Sequence, residues 1–145
     1  MSIIVERFSK IKSNIEKVPS DTSRTIVAVS KTFSLDHIMP LIDYGHMHYG
    51  ENKVQEADTK WSQIKNQKKN LKLHMIGKLQ SNKAKKAVQI FDYIHSLDSQ
   101  KLADLLASSQ ENINKSLKYF IQVNLGNEIQ KSGISYNEVD AFYNY

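Results

Sequence analysis

Cysteine is absent, which excludes disulfides and thiolate metal sites. Arginine is nearly absent: Arg7 and Arg24 are the only two, so the net charge of +5 rests almost wholly on lysine. A surface built to fork phosphates or read base edges favours guanidinium groups, and a dedicated nucleic-acid face is not indicated. No apolar run approaches the length of a transmembrane helix, and the N-terminus lacks the apolar block of a signal peptide. That combination reads as a soluble cytoplasmic protein. Glycine is missing where a nucleotide loop would need it. Ser30-Lys31-Thr32-Phe33 follows the first strand signal without one, so neither dinucleotide nor P-loop chemistry is supported.

What is present is organised around Thr25-Ile26-Val27-Ala28-Val29-Ser30-Lys31-Thr32. Four consecutive apolar residues predict a buried strand, and a lysine stands at its C-terminal end. In α/β proteins ligands bind at the C-terminal ends of the strands. An amine partly desolvated there would have a lowered pKa and more of the neutral form that attacks an aldehyde. A surface lysine in a strand-to-helix loop is the plainer reading of this stretch taken alone.

Before it, Ile4, Phe8, Ile11, Ile15 and Val18 recur at helical spacing, and Pro19, Ser20, Asp21 and Ser23 break the chain. After it, Ser34 reads as the N-cap of a helix carrying Ile38, Leu41 and Ile42 and stopped at Gly45, with Pro40 placed awkwardly inside. The alternation continues. His46 to Tyr49 predicts a short strand leading into Gly50-Glu51-Asn52, and Lys53 to Gln63 a helix with Val54, Ala57 and Trp61 on one side. A lysine-rich connector, Ser62 to Asn70, leads to a strand from Leu71 and a basic helix bearing Ala84, Ala87, Val88 and Ile90. Asp92 to Leu97 and Tyr119 to Leu125 are the last two strands. The helix between them is capped by Asp98 or Ser99. A loop from Gly126 to Gly133 and a helix opened by Ser135 follow.

Five strand signals, each followed by a helix, imply parallel strands with crossover helices. A doubly wound sheet and a (β/α)8 barrel both fit, but a complete barrel needs roughly 200–250 residues. At 145 residues the chain suits one domain, either a small sheet or the front part of a barrel. The histidines are scattered. His46 and His48 point to one face of a strand, yet no carboxylate cluster joins them into a metal site. His74 and His95 read as hydrogen-bonded structural residues, and the lysine runs near 65–72 and 83–86 as a solvated face.

Taken together, the loop residues carry more. Val29-Ser30-Lys31-Thr32 and Gly50-Glu51-Asn52-x-Val54-Gln55-Glu56 come first. His74-Met75-Ile76-Gly77-x-Leu79-Gln80-Ser81-Asn82-Lys83, His95-Ser96-Leu97-Asp98-Ser99, Gln122-Val123-Asn124 and Lys131-Ser132-Gly133 follow. In this order the chain resembles the YggS family of pyridoxal phosphate homeostasis proteins (PLPBP or PROSC in animals), related to the N-terminal barrel domain of alanine racemase.

The resemblance implies an α/β fold of (β/α)8 TIM-barrel type, of which about the first five β/α units are present. It implies that residues 1–145 form a single alanine-racemase-N-terminal-like barrel domain whose C-terminal portion is missing. It also implies pyridoxal 5′-phosphate (PLP) bound as a Schiff base on Lys31. Asn52 would border the ring, His74 would line the mouth, and Lys131 would stand near it. The role implied is intracellular vitamin B6 homeostasis, with PLP-dependent apo-enzymes as partners and no substrate turnover. The chain offers no acid or base that the resemblance places across the ring from the lysine. The family's phosphate cup comes from later units, so a weaker hold on the cofactor is expected here. Two other classes stay open: a fold-type III PLP enzyme such as a racemase or decarboxylase, and a basic RNA-associated module.

Overall fold

The computed structural model describes residues 1–126 and 128–145. Asn127, inside the loop expected from Gly126 to Gly133, lies outside the described residues. Helix α1 spans Ile3–Glu16 and is followed by strand β1, Ala28–Val29. Then come α2 (Leu35–Asp43), β2 (His48–Glu51), α3 (Val54–Gln67) and β3 (Lys72–Met75). A 3-10 turn at Ser81–Lys83 opens α4 (Ala84–Ile90), which leads to β4 (Tyr93–Leu97), α5 (Gln100–Glu111) and β5 (Lys118–Ile121). Two-residue strands β6 (Val123–Asn124) and β7 (Ile134–Ser135) pair with each other, and α6 (Val139–Tyr143) ends the chain.

The five main strands are all parallel and lie in sequential order, β1-β2-β3-β4-β5. That order decides between the two architectures. Crossovers between parallel strands are right-handed almost without exception. When every step moves to the next neighbour in the same direction, every helix falls on one face. The sheet is therefore an incomplete barrel, with its helices on the convex side. The neighbouring pairs α1 and α2, α3 and α4, and α4 and α5 pack side by side there.

Alternation along the strands separates the faces. Tyr49, Leu73, Met75 and Ile94 point outward and are completely or almost completely buried under Trp61, Ala87, Val88, Leu102 and Leu106. His48, Gly50, His74 and Tyr93 point inward, and Gly50, His74 and Tyr93 lie in register across β2, β3 and β4. Gly50 is fitted to that inner face. A Cβ on it would stand 2.9 Å from Ile76 Cδ1 and 3.2 Å from Val27 Cγ1.

Several expectations change. The first strand is not buried: Val29 is 51% exposed, because β1 is an edge strand and its inner side faces the open concavity. Helix α3 runs on to Gln67 through most of the expected connector, since Ile64 packs against the core and extends the apolar stripe of Val54, Ala57 and Trp61. Pro40 is accommodated within a continuous α2. Of the two candidate caps, Ser99 is the one used, accepting from the Leu102 N–H at 3.1 Å. The last strand breaks at Gln122; Ser135 ends β7 and, as expected, caps the final helical segment, which begins as a 3-10 turn at Tyr136–Glu138 and runs into the short α6.

Candidate functional site

Lys31 follows β1 at its C-terminal end, and Asn52 follows β2 in the same way. Continuing the strand alternation, Lys31 shares the inner face with Val27 and Val29, and Asn52 with His48 and Gly50. The Lys31 side chain is exposed and makes no hydrogen bond or ion pair among the described residues. The partial desolvation expected of this amine is not provided, again because β1 is the edge of an open sheet.

The amine is free, but the backbone that carries it is tightly held. Ser30 to Phe33 forms a turn closed by the Phe33 N–H donating to the Ser30 carbonyl at 3.2 Å. Its third residue, Thr32, takes φ +66°, where a β-branched side chain costs on the order of 1–2 kcal/mol. Such a conformation persists when its surroundings fix it from several sides, and here they do. The Ser30 N–H donates to the Gly50 carbonyl at 3.0 Å. The Ser30 hydroxyl donates to Glu51 Oε1 at 2.8 Å, and Lys60 Nζ donates to the Ser30 carbonyl at 2.9 Å. On the other side of Lys31, the Thr32 N–H donates to Glu56 Oε1 at 2.8 Å.

Glu51 is the centre of this arrangement. Its side chain is fully buried, and Oε1 accepts from Ser30, from Lys60 Nζ at 2.9 Å and from Trp61 Nε1 at 2.9 Å. Oε2 is buried without a partner among the described residues. Lys60, with only 9% of its side chain exposed, also reaches Glu56 at 3.3 Å. The Thr32 N–H holds the Glu56 carboxyl below its usual range, against the opposing effect of burial and with help from Lys60. The Gly50-Glu51-Asn52-x-Val54-Gln55-Glu56 segment is therefore the seat of the Lys31 turn, with Glu51 holding the Ser30 hydroxyl before it and Glu56 the Thr32 N–H after it.

Asn52 is half-buried and backed by Gly77, where a Cβ would lie 2.8 Å from Asn52 Cα. His74 lies one residue before the end of β3, on the inner face, and is 3% exposed. It bridges His48 and His95 through its two ring nitrogens, at 2.9 and 2.8 Å. Burial, followed by the two neighbouring imidazoles, pushes His74 down to about 4. Lys131 is exposed in the loop between β6 and β7 and pairs with Glu128 Oε1 at 3.0 Å. Lys31, Asn52 and His74 thus share the inner face, while Lys131 stands apart in its own loop.

Lys60 and the hub role of Glu51 were missed in the sequence. One local signal existed, since Glu56 and Lys60 are spaced i,i+4 on one helix. His46 and His48 do not act as a pair of side chains. His46 precedes the strand, uses Nε2 on the His48 carbonyl at 2.8 Å, and packs against Phe8.

Two outcomes follow. Replacing Lys60 by Met leaves the buried Glu51 carboxylate without its cation, so unfolding in urea should show a loss of roughly 3–5 kcal/mol. A loss under 1 kcal/mol would mean that Glu51 is not held as a buried ion. His74 has a folded-state pKa below its unfolded 6.5, so its contribution to stability is complete above pH 6.5 and is lost as pH falls toward 4. The thermal midpoint should fall across that window, and His74→Phe should flatten the fall.

The family sequence model described as alanine racemase, N-terminal domain, matches residues 7–145. The pyridoxal phosphate homeostasis protein of Pasteurella multocida (strain Pm70) is 35% identical over 141 residues, which cover 94% of this chain and 60% of that protein. Its namesake in Escherichia coli (strain K12) is 32% identical over 146 residues, covering 97% and 62%. The structure of PipY from Synechococcus elongatus PCC7942 with PLP bound superimposes with a TM-score of 0.77 at 34% identity, covering 94% of this chain and 61% of PipY. A histidine racemase from Leuconostoc mesenteroides, at 17% identity and TM-score 0.69, shares the fold alone. This chain spans 60% of the length of the Pasteurella relative. It belongs to the alanine racemase N-terminal domain family.

Proposed function

We propose that this chain binds pyridoxal 5′-phosphate through a Schiff base on Lys31 and serves vitamin B6 homeostasis without turning over a substrate of its own. The observation that carries the reading is the Lys31 turn. A free amine stands at the C-terminal end of a parallel strand, on the inner face of a barrel segment, with the peptide on both sides of it clamped. Among the described residues the amine has no carboxylate partner to leave, and the clamp limits the conformational freedom lost when it is captured. PipY, 34% identical, is known with PLP bound, and the homeostasis proteins are relatives of similar identity.

The residues present fit the cofactor's chemistry. When bound, PLP supplies an aldehyde that an amine can capture and a ring that withdraws electrons. Lys31 supplies that amine. Asn52, on the same face one strand over, offers a side-chain amide to a ring lying beside the lysine. His74, kept neutral by burial, presents an uncharged aromatic floor. Lys131 would approach an anionic group by leaving Glu128, at little cost because both are exposed. Turnover would require an acid or base across the ring from Lys31, and the motif resemblance assigns none of the described residues to that role.

The test is borohydride reduction of the chain mixed with PLP, followed by peptide mass spectrometry. The added mass should sit on Lys31, and Lys31→Ala should lose the visible absorption band while keeping the fold by circular dichroism. Label spread over the lysines at 65, 68, 69 and 72 would refute the assignment.

A further inference from the structure

Three imidazoles form a hydrogen-bonded line across the inner face of the sheet. His48 Nδ1 faces His74 Nε2 at 2.9 Å, and His74 Nδ1 faces His95 Nε2 at 2.8 Å. The rings are held by aromatic neighbours. Tyr93 stacks on His74 with centroids 4.2 Å apart and planes 5° from parallel, and Phe120 stacks on His95 at 4.5 Å and 17°. The line has a direction set by strand register. His48 pairs with Lys72, and His74 lies two residues beyond it; His74 pairs with Tyr93, and His95 lies two residues beyond that. Each step therefore climbs toward the C-terminal ends of the strands.

Counting protons shows what such a line can do. Three neutral imidazoles carry three ring N–H protons. Two occupy the N–H···N bonds, and the third sits on an outer nitrogen, His48 Nε2 or His95 Nδ1. Neither outer nitrogen bonds to a protein group among the described residues. A fourth proton can enter without breaking either bond: both outer nitrogens then carry one, and the charge lies on whichever ring holds two. Shifting the two bonded protons moves that charge from His48 through His74 to His95. One proton is taken up at one outer nitrogen and another is released from the other, with nothing oxidised or reduced. A fifth proton would set two N–H groups face to face and break a link.

We propose that His48, His74 and His95 form a proton relay running along the inner face from the base of the sheet toward the rim that carries Lys31. Its destination rests on the function proposed above. Condensing an amine with an aldehyde removes protons from the attacking nitrogen and delivers them to the carbonyl oxygen, which departs as water. The charges around the line keep its extra proton transient. Burial opposes charge on all three rings, and Lys72 on β3 opposes it further at His48. Asp92, just before β4, favours charge on His48 and His74. Lys118 on β5 lies over the Tyr93 ring at 5.8 Å, and His46, ahead of β2, adds a like charge beside His48 when protonated.

The direct test needs no cofactor. In the chain labelled with 15N-histidine, nuclear magnetic resonance should show couplings across both N–H···N bonds at neutral pH. As pH falls below 6.5, the nitrogens of His48, His74 and His95 should shift with one common midpoint. His74→Phe keeps the stacked ring on Tyr93 and removes both nitrogens, so His48 and His95 should then titrate independently. Absent couplings with three unrelated midpoints in the unaltered chain would overturn the relay, whatever becomes of the variant.

A second arm tests the destination: the rate at which the PLP absorption band develops, followed between pH 6 and 8. It should fall at least several-fold in His74→Phe. Intact couplings with an unchanged rate would overturn the link to the rim. If the chain forms no PLP adduct at all, the proposed function and that link fail together, while the couplings still decide whether the relay exists.

Discussion

A carboxylate buried beneath the end of a strand is the constraint on which this structure turns. Glu51 has no exposed surface, and a charge so placed is tolerable only when donors surround it. Ser30, Lys60 and Trp61 supply them, and in doing so they join three elements: the turn after β1, the end of β2 and the middle of α3. The ion pair is better understood through what it positions than through net stability, since buried pairs often do little more than offset their own desolvation. Here it fixes the carbonyl before Lys31, while Glu56 fixes the N–H after it. A lysine that is itself exposed and unpaired is thereby carried on one of the most constrained turns of the chain.

Sequential parallel order supplies the rest. Because each crossover is right-handed and steps to the next neighbour, the helices collect on one side and the other side is left concave. The concave face is unlike the core. Its residues are Gly50, which allows close approach, and a band of histidine and aromatic side chains, including His48, His74, Tyr93, His95 and Phe120. The same alternation that buries Tyr49, Leu73 and Ile94 under the helices turns these rings to the concave face, with His74 directly opposite Tyr93.

Much of this was legible in the residues. Strand and helix alternation gave five parallel strands, and the lysine closing the first apolar run lies at a strand's C-terminal end, where the alternation rule placed it. Lys31, Asn52 and His74, which the motifs singled out, lie on one face of the sheet. What was hidden depended on neighbours distant in sequence. An apolar run such as Ile26 to Val29 does not reveal that it will lie at the edge of a sheet, with Val29 half exposed. Glu51 reads as a polar turn residue until Ser30 and Trp61 are brought against it from 21 and 10 residues away. The three histidines, 26 and 21 residues apart, become neighbours only through register. The β6–β7 pair was invisible because two-residue strands carry no periodicity.

The central claim is that the clamp on the Lys31 turn is what makes its amine a cofactor site. The measurement that reaches it most directly is a double-variant cycle between Glu56→Ala and Lys31→Ala, read as PLP affinity by equilibrium dialysis. Glu56 is partly exposed and bonds the turn itself, so its removal loosens the turn while sparing the buried pair of Glu51 and Lys60. The account predicts that Glu56→Ala weakens binding at least several-fold when Lys31 is present and has no further effect once Lys31 is gone. Equal losses in the two backgrounds, or none in either, would contradict it.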